Sequence, residues 1–157
     1  MLVCSFDPGI VTGYCWCDTN TDRYAHEQIV SKDLREVIQR IVDTKPDIVL
    51  YEDFKHRGGM ISAEMYSLQV IGAINYYCQT FHIKTWHCLP AEAKAFWNDK
   101  KLRAIGIYKP VWKHANDASR VCLTWRMKND FEWWRSVVPM LKEMDQKSQR
   151  IRSESQS

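Results

Sequence analysis

The chain has 157 residues, of which 45% are hydrophobic and 26% charged, with a formal net charge of +3. That length favours one compact domain, and the composition excludes a disordered or fibrous body. The longest uncharged stretch, residues 65–81, contains Ser67, Gln69, Asn75 and Gln79 and makes a poor bilayer span. The first residues show neither the basic region nor the apolar run of a signal peptide, so a cytoplasmic protein without membrane contact is expected. Six cysteines, at positions 4, 15, 17, 78, 88 and 122, then read as reduced thiols packed as small hydrophobes. Cys15 and Cys17 lack the two-residue gap and the second ligand pair of a zinc site.

In chain order, Leu2 to Phe6 is a short apolar run that stops at the turn signal Asp7-Pro8-Gly9. Val11 to Cys17 resumes an extended pattern, and Tyr24 to Val30 predicts a third strand, which together make an antiparallel meander. From Ser31, placed as an N-cap, Leu34, Val37, Ile38, Ile41 and Val42 recur at helical spacing up to Pro46. Ile48 to Tyr51 is a buried strand that runs into Glu52-Asp53, and Phe54 to Gly59 is a loop. A long helix follows from Ile61 to about Thr80, with Ile61, Met65, Leu68, Gly72 and Asn75 on one stripe and Ile71, Ile74 and Cys78 beside it. His82 to His87 predicts a strand, Ala91 to Trp97 a short helix, His114 to Arg126 a helix with the stripe Asp117, Val121 and Thr124, and Phe131 to Met144 a last helix. Residues 147–157 are polar and read as a disordered tail behind a domain of residues 1–146. This order belongs to the ribonuclease H-like α/β fold, a mixed sheet of three antiparallel strands plus parallel strands flanked by helices.

Charge is unevenly spread. Between residues 94 and 113 stand Lys94, Lys100, Lys101, Arg103, Lys109 and Lys113 against Asp99 alone, interleaved with Phe96, Trp97, Tyr108 and Trp112. Such a segment suits a phosphate-binding surface, and equally a solvated face over aromatic core residues.

Acids converge in such a fold from three places. Asp7 follows the first strand, Glu52 ends the central strand, and Asp117 lies one turn after His114 at a helix start. Asp7 before Pro8-Gly9 also suits a plain turn, and Asp117 a plain first-turn acid. Glu52 beside Asp53 is less easily assigned to scaffold, because strand alternation sends the two to opposite faces. Clustered carboxylates repel unless a cation joins them, and oxygen donors with one imidazole favour Mg²⁺, with Mn²⁺ able to substitute. Two such ions at one site serve in-line phosphodiester hydrolysis.

Phe6-Asp7-Pro8-Gly9-Ile10-Val11-Thr12-Gly13-Tyr14, Val49-Leu50-Tyr51-Glu52 and His114-Ala115-Asn116-Asp117-Ala118 resemble, in order and spacing, the three motifs of the RuvC family of Holliday-junction resolvases, in a short single-domain form of phage type. The resemblance spans about residues 1–126. It implies a homodimer that binds branched DNA, above all four-way junctions, and makes paired metal-dependent incisions leaving 5′-phosphate ends. If phage-encoded, it would act in the host cytoplasm. The catalytic and metal-binding set it implies is Asp7, Glu52, His114 and Asp117, with His114 a departure from the all-carboxylate version. Lys94, Lys100, Lys101 and Arg103 become DNA contacts, joined by Phe54, Lys55 and Arg57 in the loop after Glu52, where Phe54 is either a wedge at the junction centre or a loop anchor. A less selective flap or fork nuclease of the same fold, and a DNA-binding module without catalysis, remain alternatives. Ribonuclease H proper lacks its first-helix acid here, and a proofreading exonuclease would need an acid where Gly9 stands.

Overall fold

A computed structural model of the protein describes residues 1–53 and 62–154. Five strands, β1 (Leu2–Asp7), β2 (Thr12–Asp18), β3 (Arg23–Ile29), β4 (Ile48–Glu52) and β5 (Lys84–Cys88), form one sheet in the order β3-β2-β1-β4-β5. The first three are antiparallel neighbours, and β1, β4 and β5 run parallel. Around them lie α1 (Leu34–Thr44), α2 (Ser62–Thr80), α3 (Pro90–Phe96), α4 (Asp99–Ala104), α5 (Lys113–Asn129) and α6 (Phe131–Glu154). No helix among the described residues is long and apolar enough to cross a membrane.

Strand alternation decides which face each residue serves. Cys4 and Phe6 of β1 and Val49 and Tyr51 of β4 pack with Val37 and Ile41 of α1 and Val70, Ile71, Ile74 and Cys78 of α2. Val3 and Leu50 turn the other way, with Cys15 and Cys17, onto Ala118, Val121, Cys122 and Trp125 of α5. Asp7 and Glu52 share the parity of Val3 and Leu50, so both carboxylates end their strands on the α5 face. A third core, built from Trp97, Leu102, Leu123, Trp133, Val137 and Leu141, joins α5 to α3, α4 and α6. All six cysteines are free and buried.

Helix α5 is therefore enclosed by the sheet on one side and three helices on the other. Its buried run extends from Ala115 to Arg126, polar residues included, wider than the single stripe expected from spacing. Gly13 is the reason it can lie so close: a Cβ there would stand 1.9 Å from the His114 carbonyl oxygen. The glycine of the first motif is thus a packing requirement of the third.

Several expectations need correction. Helix α1 is capped by Asp33, whose side chain accepts from the Arg35 amide, and Ser31 instead accepts from the Asp33 amide. The face of α2 turned to the sheet carries Val70, Ile71, Ile74 and Cys78, whereas Met65, Leu68 and Gly72 of the expected stripe are exposed; the helix is apolar on more than one side, so spacing left two faces to choose between. Helix α4 was missed because it is six residues long with one buried residue, Leu102. Helix α6 continues to Glu154, through most of the stretch read as a tail, where Lys, Arg, Gln and Glu have good helix propensity. Phe54, Lys55 and Arg57 lie outside the described residues.

Candidate active site

Asp7, Glu52, Asp117 and His114 come together at the ends of β1 and β4 and the start of α5. His114 Nδ1 lies 2.8 Å from Asp7 Oδ2, and its backbone amide donates to Gln28 Oε1 at 3.0 Å. Lys94, from α3, places Nζ 3.2 Å from Asp117 Oδ2 and 3.9 Å from Glu52 Oε1. The other oxygen of Asp117, Oδ1, accepts from Arg120 Nη1. Arg120 also donates from Nη2 to Asp99 Oδ1 and from Nε to the Trp97 carbonyl at 2.7 Å. Asp7, Glu52 and Asp117 are all buried, at 7%, 9% and 3% exposure, so their charges interact with little solvent screening.

The electrostatics carry that burden. Desolvation raises the Glu52 carboxyl to about 7, and Asp7 adds to the rise while Lys94 opposes it. Desolvation also raises Asp7, partly offset by its hydrogen bond to His114. The same bond lifts His114 above the ordinary imidazole value against its own burial. Burial opposes the charge on Lys94, yet Glu52 and Asp117 hold its pKa above the usual lysine value.

Among the described residues no three His, Cys, Asp or Glu side chains are gathered closely enough to hold a metal ion as they stand. The donor chemistry still fits a hard divalent cation. Glu52 Oε2 is buried without a hydrogen-bond partner, and an unsatisfied buried carboxylate oxygen beside two further carboxylates is what such an ion would relieve.

The basic residues divide into two groups. Lys94, Lys100 and Lys113 line a groove of about 880 Å³ that opens from Asp117 past Asn98 and Asp99. Lys101 and Arg103 lie over the rings of Phe96 and Tyr108, at 3.4 and 4.2 Å from the centroids, as Lys109 does over Trp112 at 4.0 Å. The aromatic interleaving is therefore both core and cation support. On the Asp7 side, Pro8, Gly9, Ile10, Val11, Ser67 and His114 line a smaller cleft of about 340 Å³, with no lysine or arginine among the described residues of its wall.

Sequence reasoning missed Arg120 and Gln28, and placed Lys113 in the basic segment without naming it as a DNA contact. Arg120 was detectable as a charge one helical turn after Asp117, on the same face of a helix that carries Val121, Cys122 and Leu123 beyond it. Gln28 carries no local signal, since its role depends on α5 crossing β3.

No protein-family profile and no curated protein matches the chain. Solved structures do. Thermus thermophilus RuvC in complex with a Holliday-junction substrate superposes with a TM-score of 0.63 at 20% identity, over 79% of this chain and 91% of the other. A second Thermus thermophilus RuvC structure gives a TM-score of 0.59 at 17% identity, over 79% and 92%. Fowlpox virus resolvase with substrate Holliday junction DNA gives 0.54 at 16%, over 82% and 98%. The fold is ribonuclease H-like, with the mixed sheet of three antiparallel plus parallel strands flanked by helices. Within that class its structural similarity is to RuvC-type Holliday junction resolvases, at low sequence identity.

Proposed function

We propose that the protein is a metal-dependent endonuclease that resolves four-way DNA junctions by paired strand incisions, acting as a homodimer. The observation that supports this most directly is the convergence of three buried carboxylates from β1, β4 and α5, one of which, Asp117, lines a groove with Lys94, Lys100 and Lys113. Asp7, Glu52 and Asp117 would hold Mg²⁺ or Mn²⁺, two ions being the arrangement such chemistry uses, and the bound metal would supply an activated water and charge neutralisation at the phosphate.

The chain's own residues do the rest. Asp7 and Glu52 present carboxylates from adjacent parallel strands, so sheet hydrogen bonding holds them in register. His114 orients Asp7 through Nδ1 and can itself ligate metal or carry a proton once neutral. Lys94, already among the acids, offers an ammonium to a non-bridging phosphate oxygen as charge develops there. Lys100 and Lys113 extend that cationic path along the strand, and Lys101 and Arg103 add charge on α4. Phe54, Lys55 and Arg57 remain proposed junction contacts. The exposed apolar residues Met65, Leu68 and Tyr76 on α2 give a second copy a surface to cover.

The test is cleavage of a synthetic mobile four-way junction beside linear duplex, flap and single strand, with Mg²⁺, Mn²⁺ or chelator. Paired nicks confined to the junction, dependent on metal and abolished in Asp7→Asn, are expected. Equal cutting of flaps would reduce the assignment to a general branched-DNA nuclease, and binding without cutting would leave a DNA-binding module.

A further inference from the structure

Arg120 has a more specific place than a scaffold salt bridge. Its side chain is nearly buried, and all three of its nitrogens are committed: Nη1 to Asp117 Oδ1, Nη2 to Asp99 Oδ1, and Nε to the carbonyl of Trp97 at 2.7 Å. Those partners sit on α5, at the first residue of α4, and at the end of α3 respectively. One planar guanidinium thus ties the innermost acid to both short helices that carry the basic groove. Arginine keeps its charge under all working conditions and presents its donors in a rigid fork, so the arrangement is permanent in a way a lysine could not reproduce.

We propose that Arg120 is a positioning residue that commits Oδ1 of Asp117 to the protein, leaves only Oδ2 for a cation, and locks helix α4 to the cleavage site. This deepens the nuclease reading above and rests on it. With both oxygens free, Asp117 could chelate an ion through two oxygens or rotate away from Glu52. With Oδ1 held, it is a single-oxygen ligand aimed at the space Lys94 shares with Glu52. The tether to Asp99 makes the position of Lys100 and Lys101, which follow it directly, depend on the same guanidinium. A phosphate contact on α4 is then registered against Asp117 through the protein and needs no separate adjustment.

Electrostatics give the proposal a signature that loss of structure would not imitate. Arg120→Met removes a positive charge from beside Asp117, so the DNA-free protein should bind Mn²⁺ more tightly, by roughly fivefold for about 1 kcal/mol of removed repulsion. Cleavage should fall all the same, by about 10- to 100-fold, the usual cost of losing an outer partner of a metal ligand. Asp99→Asn leaves Arg120 charged and less neutralised, so Mn²⁺ binding should weaken by a few fold. Arg120→Lys should keep near-normal Mn²⁺ affinity and still lose cleavage, because charge survives and the fork does not.

The experiment is Mn²⁺ titration of the DNA-free protein by electron paramagnetic resonance, paired with junction cleavage, for wild type, Arg120→Met, Arg120→Lys, Asp99→Asn and Asp117→Asn. Opposite shifts of Mn²⁺ affinity in Arg120→Met and Asp99→Asn, with cleavage reduced in both, support the proposal. Mn²⁺ binding that is lost in Asp117→Asn and also weakened in Arg120→Met overturns the positioning role while leaving the metal site standing. Equal Mn²⁺ binding by wild type and Asp117→Asn overturns the metal reading and this proposal with it. If Arg120→Met does not fold, Asp99→Asn and Arg120→Lys decide the matter, and unchanged cleavage in both is the overturning result.

Discussion

Helices α2 and α5 flank opposite faces of the same sheet and are nearly inverted in character. Helix α2 has one charged residue, Glu64, in nineteen, yet it leaves Met65, Leu68 and Tyr76 exposed. Helix α5 carries Asn116, Asp117, Ser119, Arg120, Thr124 and Arg126, and buries all of them. Burial here follows the number of layers that enclose a helix. Helix α5 has the sheet beneath it and α3, α4 and α6 outside it, so its polar groups must be bonded within the protein. They are: Asn116 brackets the backbone of Lys109 at 3.0 and 2.7 Å, Ser119 lies 2.8 Å from His26 Nδ1, and Thr124 donates to the Arg120 carbonyl at 2.7 Å. Among the described residues helix α2 packs chiefly on the sheet and α1, and its surplus apolar surface faces outward.

The contrast can be broken first at its energetic extreme. Arg126 is 1% exposed and donates to Asp130 Oδ2 at 2.9 Å, Asp22 Oδ1 at 2.5 Å and the Tyr24 hydroxyl at 2.5 Å. It lies at the end of α5 far from the acids. Arg126→Met should lower stability by about 2–3 kcal/mol in urea unfolding, the scale of hydrogen bonds to charged groups, because its carboxylate partners retain water when it leaves. An unchanged midpoint would mean that the buried polar side of α5 contributes nothing net.

A second prediction concerns pH. Glu52 is raised from 4.5 to about 7, and Asp7 and His114 are raised as well. A raised folded-state pKa contributes stability that is complete below the unfolded value and lost as pH rises through the folded one. In chelator, the protein should therefore lose stability between about pH 5 and pH 8, by at most about 3 kcal/mol for Glu52 at 1.36 kcal/mol per unit. Glu52→Gln should flatten most of that slope, and a divalent cation should do the same to the wild type. A metal-free protein equally stable at both pH values would contradict the strain assigned to the acids.

The smallest effect on the fold belongs to α2. Leu68→Lys with Tyr76→Lys places charges on exposed positions, and the monomer's stability should move by about 0.5 kcal/mol or less per site. Sedimentation should nonetheless shift from dimer to monomer. A monomeric wild type, or an undisturbed dimer in the double variant, would remove the role given to this face.

Much of the architecture was legible in the chain because local pattern and tertiary demand agree. The apolar run of residues 2–6, the extended pattern of residues 11–17, the break at Pro8-Gly9, and the apolar run leading into Glu52 each state one face and one end, and the sheet keeps them to within a residue. The acids were legible for the same reason: a carboxylate at the end of a buried strand can be placed by counting parity. Helix α2 was legible as a helix and misread as to its face, since an all-round apolar segment has no single stripe. Gln28 went unread because its partner His114 lies 86 residues away; the spacing of Arg120 to Asp117 was legible, but its ties to Trp97 and Asp99, 23 and 21 residues away, were not.

By itself, then, the sequence determined the order of the strands and of the helices other than α4, the parity along each strand that ends near Asp7 or Glu52, and a basic segment interleaved with aromatics. Period and parity are properties of neighbours in the chain, and no folding is needed to read them. The tertiary structure alone decided that Lys94 stands between Glu52 and Asp117, that His114 pairs with Asp7, and that one guanidinium holds α5, α3 and α4 together. Those pairings depend on which helices the sheet brings within 4 Å of each other, and on how far burial strengthens charges that would scarcely interact in water.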